Sequence, residues 1–307
     1  MTTRDTRRPK TKRSTIPEKA LVDVRSKSAS IVDRDWYDTP RWYDIVFDAD
    51  TRLEADFLEA VWRRHGPGRK AACARGSSPG GLRVLEPACG SGRLVCEMAR
   101  RGHVVTGFDL SRPMLDFARA KLRRRKLVAN LSVGDMADVR VRGRFELAHC
   151  LVSTFKYLLD EKSARAHLAG VARALVPGGL YVLGFHLSDY EQRGTIQERW
   201  VEERRGTKVT CTTRVWPPNR RTRLEDVRTR LVVESTSGVR RTETRWRFRT
   251  YDARQAQRLI ASVPALELVA LHDFRYDAEV ERTIDDGLLD CVFVLRARTG
   301  RRGRINP

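Results

Sequence analysis

The sequence predicts an α/β fold, an open and mostly parallel sheet interrupted late in the chain by an antiparallel β insertion. Three observations carry this reading. Residues 81–85 form a short apolar run, followed by a turn with Gly90 and Gly92 and then by Leu94, Val95, Met98 and Ala99 at helical spacing, which is a strand, a glycine turn and a helix. Three strand-like runs each end near an acid, Glu86, Asp109 and Asp135; Asp109 follows Glu86 by 23 residues and Asp135 follows Asp109 by 26. Between about residues 191 and 251 the pattern changes to period-two alternation, with Val209, Cys211 and Thr213, then Val227, Thr229, Leu231 and Val233, then Trp246 and Phe248.

Residues 1–35 are rich in Arg, Lys, Thr and Ser, and they hold too little apolar surface to offset the entropy of ordering; the expectation is a disordered basic arm. Order is expected from Trp36-Tyr37-Asp38 onward, through Trp42-Tyr43 and a helix whose apolar face is Leu53, Phe57, Leu58, Val61 and Trp62, stopped by Gly66-Pro67-Gly68. A Pro79-Gly80 turn precedes the first strand, and the helix after the glycine turn spans Ser91 to Arg101. The second strand is residues 103–109, and Asp109 at its end suits two ribose hydroxyls. Ser111 caps the next helix, with Pro113 in its first turn. The third strand is residues 131–136 and the fourth residues 145–152. A helix from about Asp160 to Leu175 is stopped by Pro177-Gly178-Gly179, and residues 180–185 make the fifth strand, with His186 directly beyond it. After the alternating segment, Asp252-Ala253-Arg254-Gln255 is a capping box opening a helix through Val263; strands at residues 266–274 and 288–296 close the fold.

Glu86-Pro87-Ala88-Cys89-Gly90-Ser91-Gly92 resembles the first motif of the class I S-adenosylmethionine-dependent methyltransferases, acid-x-x-Cys-Gly-x-Gly. The Pro-Gly-Gly turn before the fifth strand and the helix, strand, loop and strand at the end agree with that family. Cys150 to Leu158, with Ser153-Thr154 and Tyr157-Leu158, is similar to a segment of bacterial sugar N,N-dimethyltransferases. The resemblance covers residues 36–298. It implies a seven-stranded Rossmann-like class I methyltransferase sheet with the antiparallel insertion after the fifth strand. The corresponding domains are a basic arm at 1–35, a cofactor-binding core with an aromatic lid at 36–190, the insertion at 191–251, the end of the core sheet at 252–298 and a basic tail at 299–307.

The same resemblance implies S-adenosyl-L-methionine as cofactor, with S-adenosyl-L-homocysteine as product. Its contacts are expected from Tyr37, Tyr43, Glu86, Ala88, Gly90, Gly92, Asp109, Leu110, Met114, Asp135, Met136 and Cys150. In the resembled family the acid at the third strand accepts from the adenine amino group, and its apolar neighbour packs on the ring. The glycine turn suits a carboxylate, since free N–H groups and the helix dipole favour anions there. Tyr37, Trp42 or Tyr43 can offer a π-face to the sulfonium. His186 and Tyr43 are the candidate catalytic residues, His186 because ligands bind outside the carboxyl ends of the strands and Tyr43 for its aromatic face toward the sulfonium. Tyr157, His186 and Arg249 are the candidate acceptor contacts. In the resembled enzymes a similar insertion roofs the acceptor site and can mediate a homodimer.

The remaining features bound these readings. Of 307 residues, 60 are Lys or Arg and 39 Asp or Glu, a net charge of +21. That excess permits weak, non-specific nucleic-acid binding through the basic arm, and it equally suits solvated faces. Six cysteines form no CxxC and no metal-ligand spacing, which favours reduced, buried thiols in a cytoplasmic protein without a metal. No apolar run reaches the roughly 18 residues of a membrane span, and the basic N-terminus has no apolar core of a signal peptide. The segment after the fourth strand departs from the Asp/Asn-Pro-Pro-aromatic tetrapeptide of adenine and glutamine methylation, and no Pro-Cys dipeptide occurs. The function expected is methyl transfer to a nitrogen or oxygen of a small metabolite. RNA methylation at ribose or guanine, and cofactor binding without catalysis, stay open as alternatives.

Overall fold

A computed structural model describes residues 31–67, 81–285 and 287–298. The arm through residue 30, the end of the Gly66-Pro67-Gly68 stop, Cys73, the Pro79-Gly80 turn and the tail 299–307 lie outside the described residues. The chain begins with β1 (Ile31–Asp33), a single 3-10 turn (Trp36–Asp38), α1 (Pro40–Phe47) and α2 (Thr51–His65). Next come β2 (Arg83–Pro87), α3 (Arg93–Arg100), β3 (Val104–Asp109), α4 (Arg112–Arg124), β4 (Asn130–Val133) and β5 (Phe145–Cys150). A second 3-10 turn (Thr154–Tyr157), α5 (Glu161–Ala174) and β6 (Leu175–His186) follow. The insertion is β7 (Ile196–Arg204), β8 (Thr207–Val215), β9 (Leu224–Ser235) and β10 (Gly238–Arg249), and the chain closes with α6 (Ala253–Ala261), β11 (Leu266–His272) and β12 (Asp290–Ala297).

The main sheet has seven strands in the order β11-β12-β6-β5-β2-β3-β4. β6, β5, β2, β3 and β4 are parallel, while β12 runs antiparallel to both its neighbours, β6 and β11. Every residue of central β5 is buried, because helices cover both faces of a parallel sheet. The chain runs outward from β2 through β3 to β4 and then returns to β5 on the other side. The carboxyl ends of β2 and β5 therefore flank a topological switch point, where such sheets bind ligands.

The second sheet has the order β1-β10-β9-β8-β7. β9 alternates buried and accessible positions along its length, as a strand with one packed face must. The packed face of this sheet, with Val209 and Cys211 of β8 and Leu231 and Val233 of β9, buries Trp36, Ile45 and Val46 from the lid. Trp36 stacks on Trp246 of β10 at 4.7 Å. The lid and the insertion thus share one core.

Several local expectations change. Ile31–Asp33, assigned to the disordered arm, pair in parallel with Arg241–Glu243 at the sheet edge. The Pro177-Gly178-Gly179 turn lies inside β6: Gly178 adopts φ +79°, and the ladder with β5 shifts register between Phe145 and Leu147. β4 ends at Val133, so Asp135 sits in the turn beyond the strand. Caps came out as expected: Ser111 Oγ accepts from the Met114 N–H at 3.3 Å, and Asp252 and Gln255 form a reciprocal capping box. No described helix is long and apolar enough to cross a membrane.

Candidate active site

The glycine turn leaves β2 with three residues in the left-handed region, Ala88 at φ +53°, Gly90 at φ +52° and Gly92 at φ +66°. At Gly90 no atom lies within 4 Å of where a Cβ would stand, so the backbone faces open space. At Gly92 a Cβ would come within 2.7 Å of the Ala118 Cβ, so this glycine lets α3 start against α4. Asp109 braces the turn: its Oδ2 accepts from the Gly90 N–H and its Oδ1 from the Ser111 N–H, both at 2.8 Å. Burial raises its pKa above the ordinary carboxylate value, against the lowering effect of those N–H groups.

Beneath the turn lies a polar group of unusual composition. Glu86 at the end of β2 is buried, and its Oε2 has no hydrogen-bond partner among the described residues. Burial lifts its carboxyl to about 8, opposed by Arg93. His149 of β5 is fully buried, with its Nε2 3.9 Å from Glu86 Oε2 and both ring nitrogens unpartnered among the described residues. Burial, aided by Arg93, drives it down to about 3, so it is a neutral imidazole. Arg93, first residue of α3, reaches Glu54 of α2 at 2.6 Å and donates to Thr51 Oγ1 at 3.3 Å. Burial disfavours its charge, but Glu54 outweighs this and its pKa rises.

The lid closes over this group. Asp44 of α1 is buried; it accepts from Ser91 Oγ at 3.0 Å, from Lys121 Nζ at 2.6 Å and from Arg204 Nη1 of β7 at 3.1 Å. Tyr37 and Tyr43 lie 5.7 Å apart, and the Tyr37 hydroxyl donates to the Tyr157 hydroxyl at 2.8 Å. Burial raises the pKa of all three phenols, Tyr43 to about 12, and the charges that act on Tyr43 include Arg93, Asp109 and Glu54. The structure therefore brings Tyr37, Tyr43, Tyr157, Glu86, Gly90 and Asp109 close together. A protonated Tyr43 can donate a hydrogen bond or a π-face there, and it is not a base near neutrality.

Other candidates fall elsewhere. Met114 has no exposed surface and Cys150 almost none; both pack in the core under the turn, and burial pushes the Cys150 thiol up to about 12. Met136 is likewise buried, its carbonyl accepting from His167 Nδ1 at 2.8 Å. Ala88 is partly buried in the turn, Leu110 stands exposed beyond β3, and Asp135 is exposed with its Oδ1 holding the Ala137 N–H at 2.8 Å. Arg249 is engaged by the Thr222 carbonyl at 3.2 Å, with Glu161 3.9 Å away, where it pins the insertion to α5. His186 ends β6, two strands from the glycine turn, with its Nδ1 2.8 Å from Asp290 Oδ1.

Arg93, Glu54 and Asp44 are the residues that sequence reasoning missed. A signal existed for Glu54, which interrupts the apolar face of α2 between Leu53 and Phe57-Leu58, and for Arg93, a cation directly after the second glycine.

Residues 84–179 match a family model described as a methyltransferase domain. The chain is 33% identical over 144 residues to the dTDP-3-amino-3,6-dideoxy-alpha-D-glucopyranose N,N-dimethyltransferase of Streptomyces fradiae, covering 46% of this chain and 50% of that one. It spans about half the length of the curated relatives it matches. Among solved structures, Streptomyces venezuelae DesVI superposes with a TM-score of 0.67 at 18% identity, over 87% of this chain and 100% of that one. The sugar N-methyltransferase KedS8 from Streptoalloteichus gives 0.64 at 18%, over 91% and 99%. At such identities these likenesses speak for the fold. Residues 84–179 are thus similar to a methyltransferase domain, within a chain that has the fold of the class I S-adenosylmethionine-dependent methyltransferases.

Proposed function

We propose that this protein moves a methyl group from S-adenosyl-L-methionine to a nitrogen or oxygen of a small-molecule acceptor, with an amino sugar as the first acceptor class to test. The observation that carries the reading is the pair of unsatisfied features at the switch point, the buried Glu86 Oε2, unpartnered among the described residues, and the open left-handed backbone at Gly90. A buried carboxyl without a partner is costly unless a ligand supplies one. The amino-acid end of such a cofactor has an ammonium for Glu86 and a carboxylate for the N–H groups at the start of α3. Asp109 retains lone pairs for ribose hydroxyls, and Leu110 and Asp135 are exposed and so accessible to an adenine. These residues fit the group.

When bound, the cofactor supplies a methyl already activated by the sulfonium charge, so the protein's work is alignment, exclusion of water and management of one proton. Tyr37, Tyr43 and Tyr157 form the aromatic wall that keeps water from the sulfonium and can stabilise it through their π-faces. The second sheet supports that wall through Trp246 and the lid core. The amino-sugar acceptor is suggested by the acceptor in the Streptomyces relative's name. Two further contacts belong to this reading: weak, salt-sensitive binding of nucleic acid by the basic arm, and a homodimer through β7, an edge strand with exposed Ile196, Trp200 and Val201.

The test is calorimetric titration with S-adenosylmethionine and S-adenosylhomocysteine, followed by transfer of labelled methyl to dTDP-linked 3-amino sugars, simple phenols and total RNA. Binding together with labelling of a small acceptor is expected. No binding, or label in RNA alone, would overturn the reading.

A further inference from the structure

We infer that Asp290 is a positioning residue for His186, fixing it as the proton acceptor for the methylated group; this rests on the methyl-transfer reading above. His186 is the last residue of β6 and Asp290 the first of β12, and the two are direct partners in the antiparallel ladder. Sheet register, rather than loop conformation, sets the side chains beside each other. Nδ1 of the imidazole lies 2.8 Å from Asp290 Oδ1. An ionised carboxylate can only accept, so the ring proton sits on Nδ1 and the lone pair on Nε2.

Two other contacts hold the residue. The His186 N–H donates to Ser153 Oγ at 3.1 Å, and the Phe274 ring meets the imidazole edge-on at 4.7 Å and 73°. The side chains of His186 and Asp290 are 43% and 37% exposed, so an acceptor can reach Nε2. Phe274 in turn stacks on Tyr276 at 5.8 Å. That tyrosine is buried, its hydroxyl is unpartnered among the described residues, and Glu54, Arg93 and Asp290 all act on it. A wall of two aromatic rings therefore runs from the Arg93 group beneath the glycine turn to the His186–Asp290 pair. The alternative bases are worse placed: His149 is fully buried, and His167 is buried with both nitrogens occupied, by the Met136 carbonyl and the Tyr181 hydroxyl.

The step balances as follows. A lone pair on the acceptor nitrogen or oxygen forms the new bond to the methyl carbon, while the carbon–sulfur bond breaks and its electron pair returns to sulfur. The acceptor's N–H or O–H proton passes to His186 Nε2. One positive charge enters on the sulfonium and leaves on an imidazolium facing Asp290. The acceptor class that needs such a group is one whose attacking atom carries a proton, a primary or secondary amine or a hydroxyl.

The test compares the full chain with Asp290→Asn, Asp290→Glu and His186→Gln. Transfer of labelled methyl is measured to dTDP-3-amino-3,6-dideoxyglucose and to a simple phenol, and the histidine tautomer is read by nitrogen-15 NMR. His186→Gln should lower kcat by about 100-fold or more, within the usual range for a general base. Asp290→Asn should lower kcat by roughly 10-fold or more with KM for both substrates nearly unchanged, since it disturbs the base and not the binding. Asp290→Glu should recover part of the rate. The NMR signals should show Nδ1–H in the unaltered chain and in Asp290→Glu, and a mixed state in Asp290→Asn. An Nε2–H tautomer in the unaltered chain, or an Asp290→Asn variant with full kcat, would overturn the inference and leave the methyl-transfer reading standing. Failure of the unaltered chain to methylate either probe would count against both.

Discussion

The carboxylate of Asp44 accepts the Ser91 hydroxyl at 3.0 Å, which joins the lid helix directly to the middle of the glycine turn. The same carboxylate neutralises Lys121, a buried cation on the helix that packs against the turn. One acid thus couples the position of α1 to the conformation of the glycine turn and to the position of α4.

Replacing Asp44 by Ala should destabilise the protein by up to about 3–5 kcal/mol, because the buried Lys121 then keeps only Asp48, at 3.8 Å, as a counter-charge. Asp44→Ala, Lys121→Met together should recover much of that loss. Urea unfolding of the two variants measures it, and a single variant with an unchanged midpoint would refute the coupling.

The two glycines of the turn should respond differently to the same change. Gly92→Ala combines left-handed strain of about 1–2 kcal/mol with overlap against Ala118, and should lower Tm clearly. Gly90→Ala carries the strain without the clash, so its stability loss should be smaller. Its main effect is expected in cofactor affinity, since the new methyl fills the space that the backbone leaves open. Thermal melts paired with calorimetric titration separate the two outcomes.

Glu86 predicts a pH dependence with a definite sign. Its carboxyl is raised from the ordinary 4.5 to about 8 by burial in the free protein. The stability this contributes is full below about 4.5 and is lost as pH rises through about 8. Glu86→Gln has nothing to ionise, so it should flatten that slope and be more stable than the unaltered chain at pH 9. The unaltered chain should bind cofactor with release of a proton near pH 7, because an ammonium favours the ionised carboxylate. Calorimetry in buffers of different ionisation enthalpy detects that proton, and its absence would remove Glu86 from the site.

Asp109→Ala should weaken S-adenosylmethionine by at least about tenfold, since hydrogen bonds to a charged group are each worth roughly 1.5–3 kcal/mol. Part of the loss comes from the protein itself, because the Gly90 and Ser111 N–H groups lose their acceptor. Asp109→Asn keeps an acceptor for one of them and should lie between. Affinity equal to that of the unaltered chain would exclude Asp109 from cofactor binding.

The order of strands, the caps at Ser111 and Asp252 and the glycine turn were legible because each rests on neighbours within a few residues. Asp109 was legible as an acid at a strand end, but its role as a brace was not, since Gly90 is 19 positions away and the contact depends on β2 and β3 lying side by side. Arg93 with Glu54, and His186 with Asp290, are pairs separated by 39 and 104 positions, and no local pattern announces them. Met114 and Cys150 were placed at the site by motif position alone. Motif position fixes where a backbone stands, whereas the facing of a side chain follows from packing, and here both point into the core.

The parallel pairing of Ile31–Asp33 with Arg241–Glu243 has a consequence for how the protein is made. These partners are separated by 210 positions, and Trp36 meets Trp246 across the same distance. On a ribosome the lid segment emerges 210 residues before the strand it docks on. Its aromatic residues must therefore wait uncovered while the intervening core assembles. Contacts of such long range are slow to form and leave apolar surface open to aggregation meanwhile. The four acids and one arginine set beside those aromatics, Asp35, Asp38, Arg41, Asp44 and Asp48, oppose that aggregation while the segment waits for its partner strand.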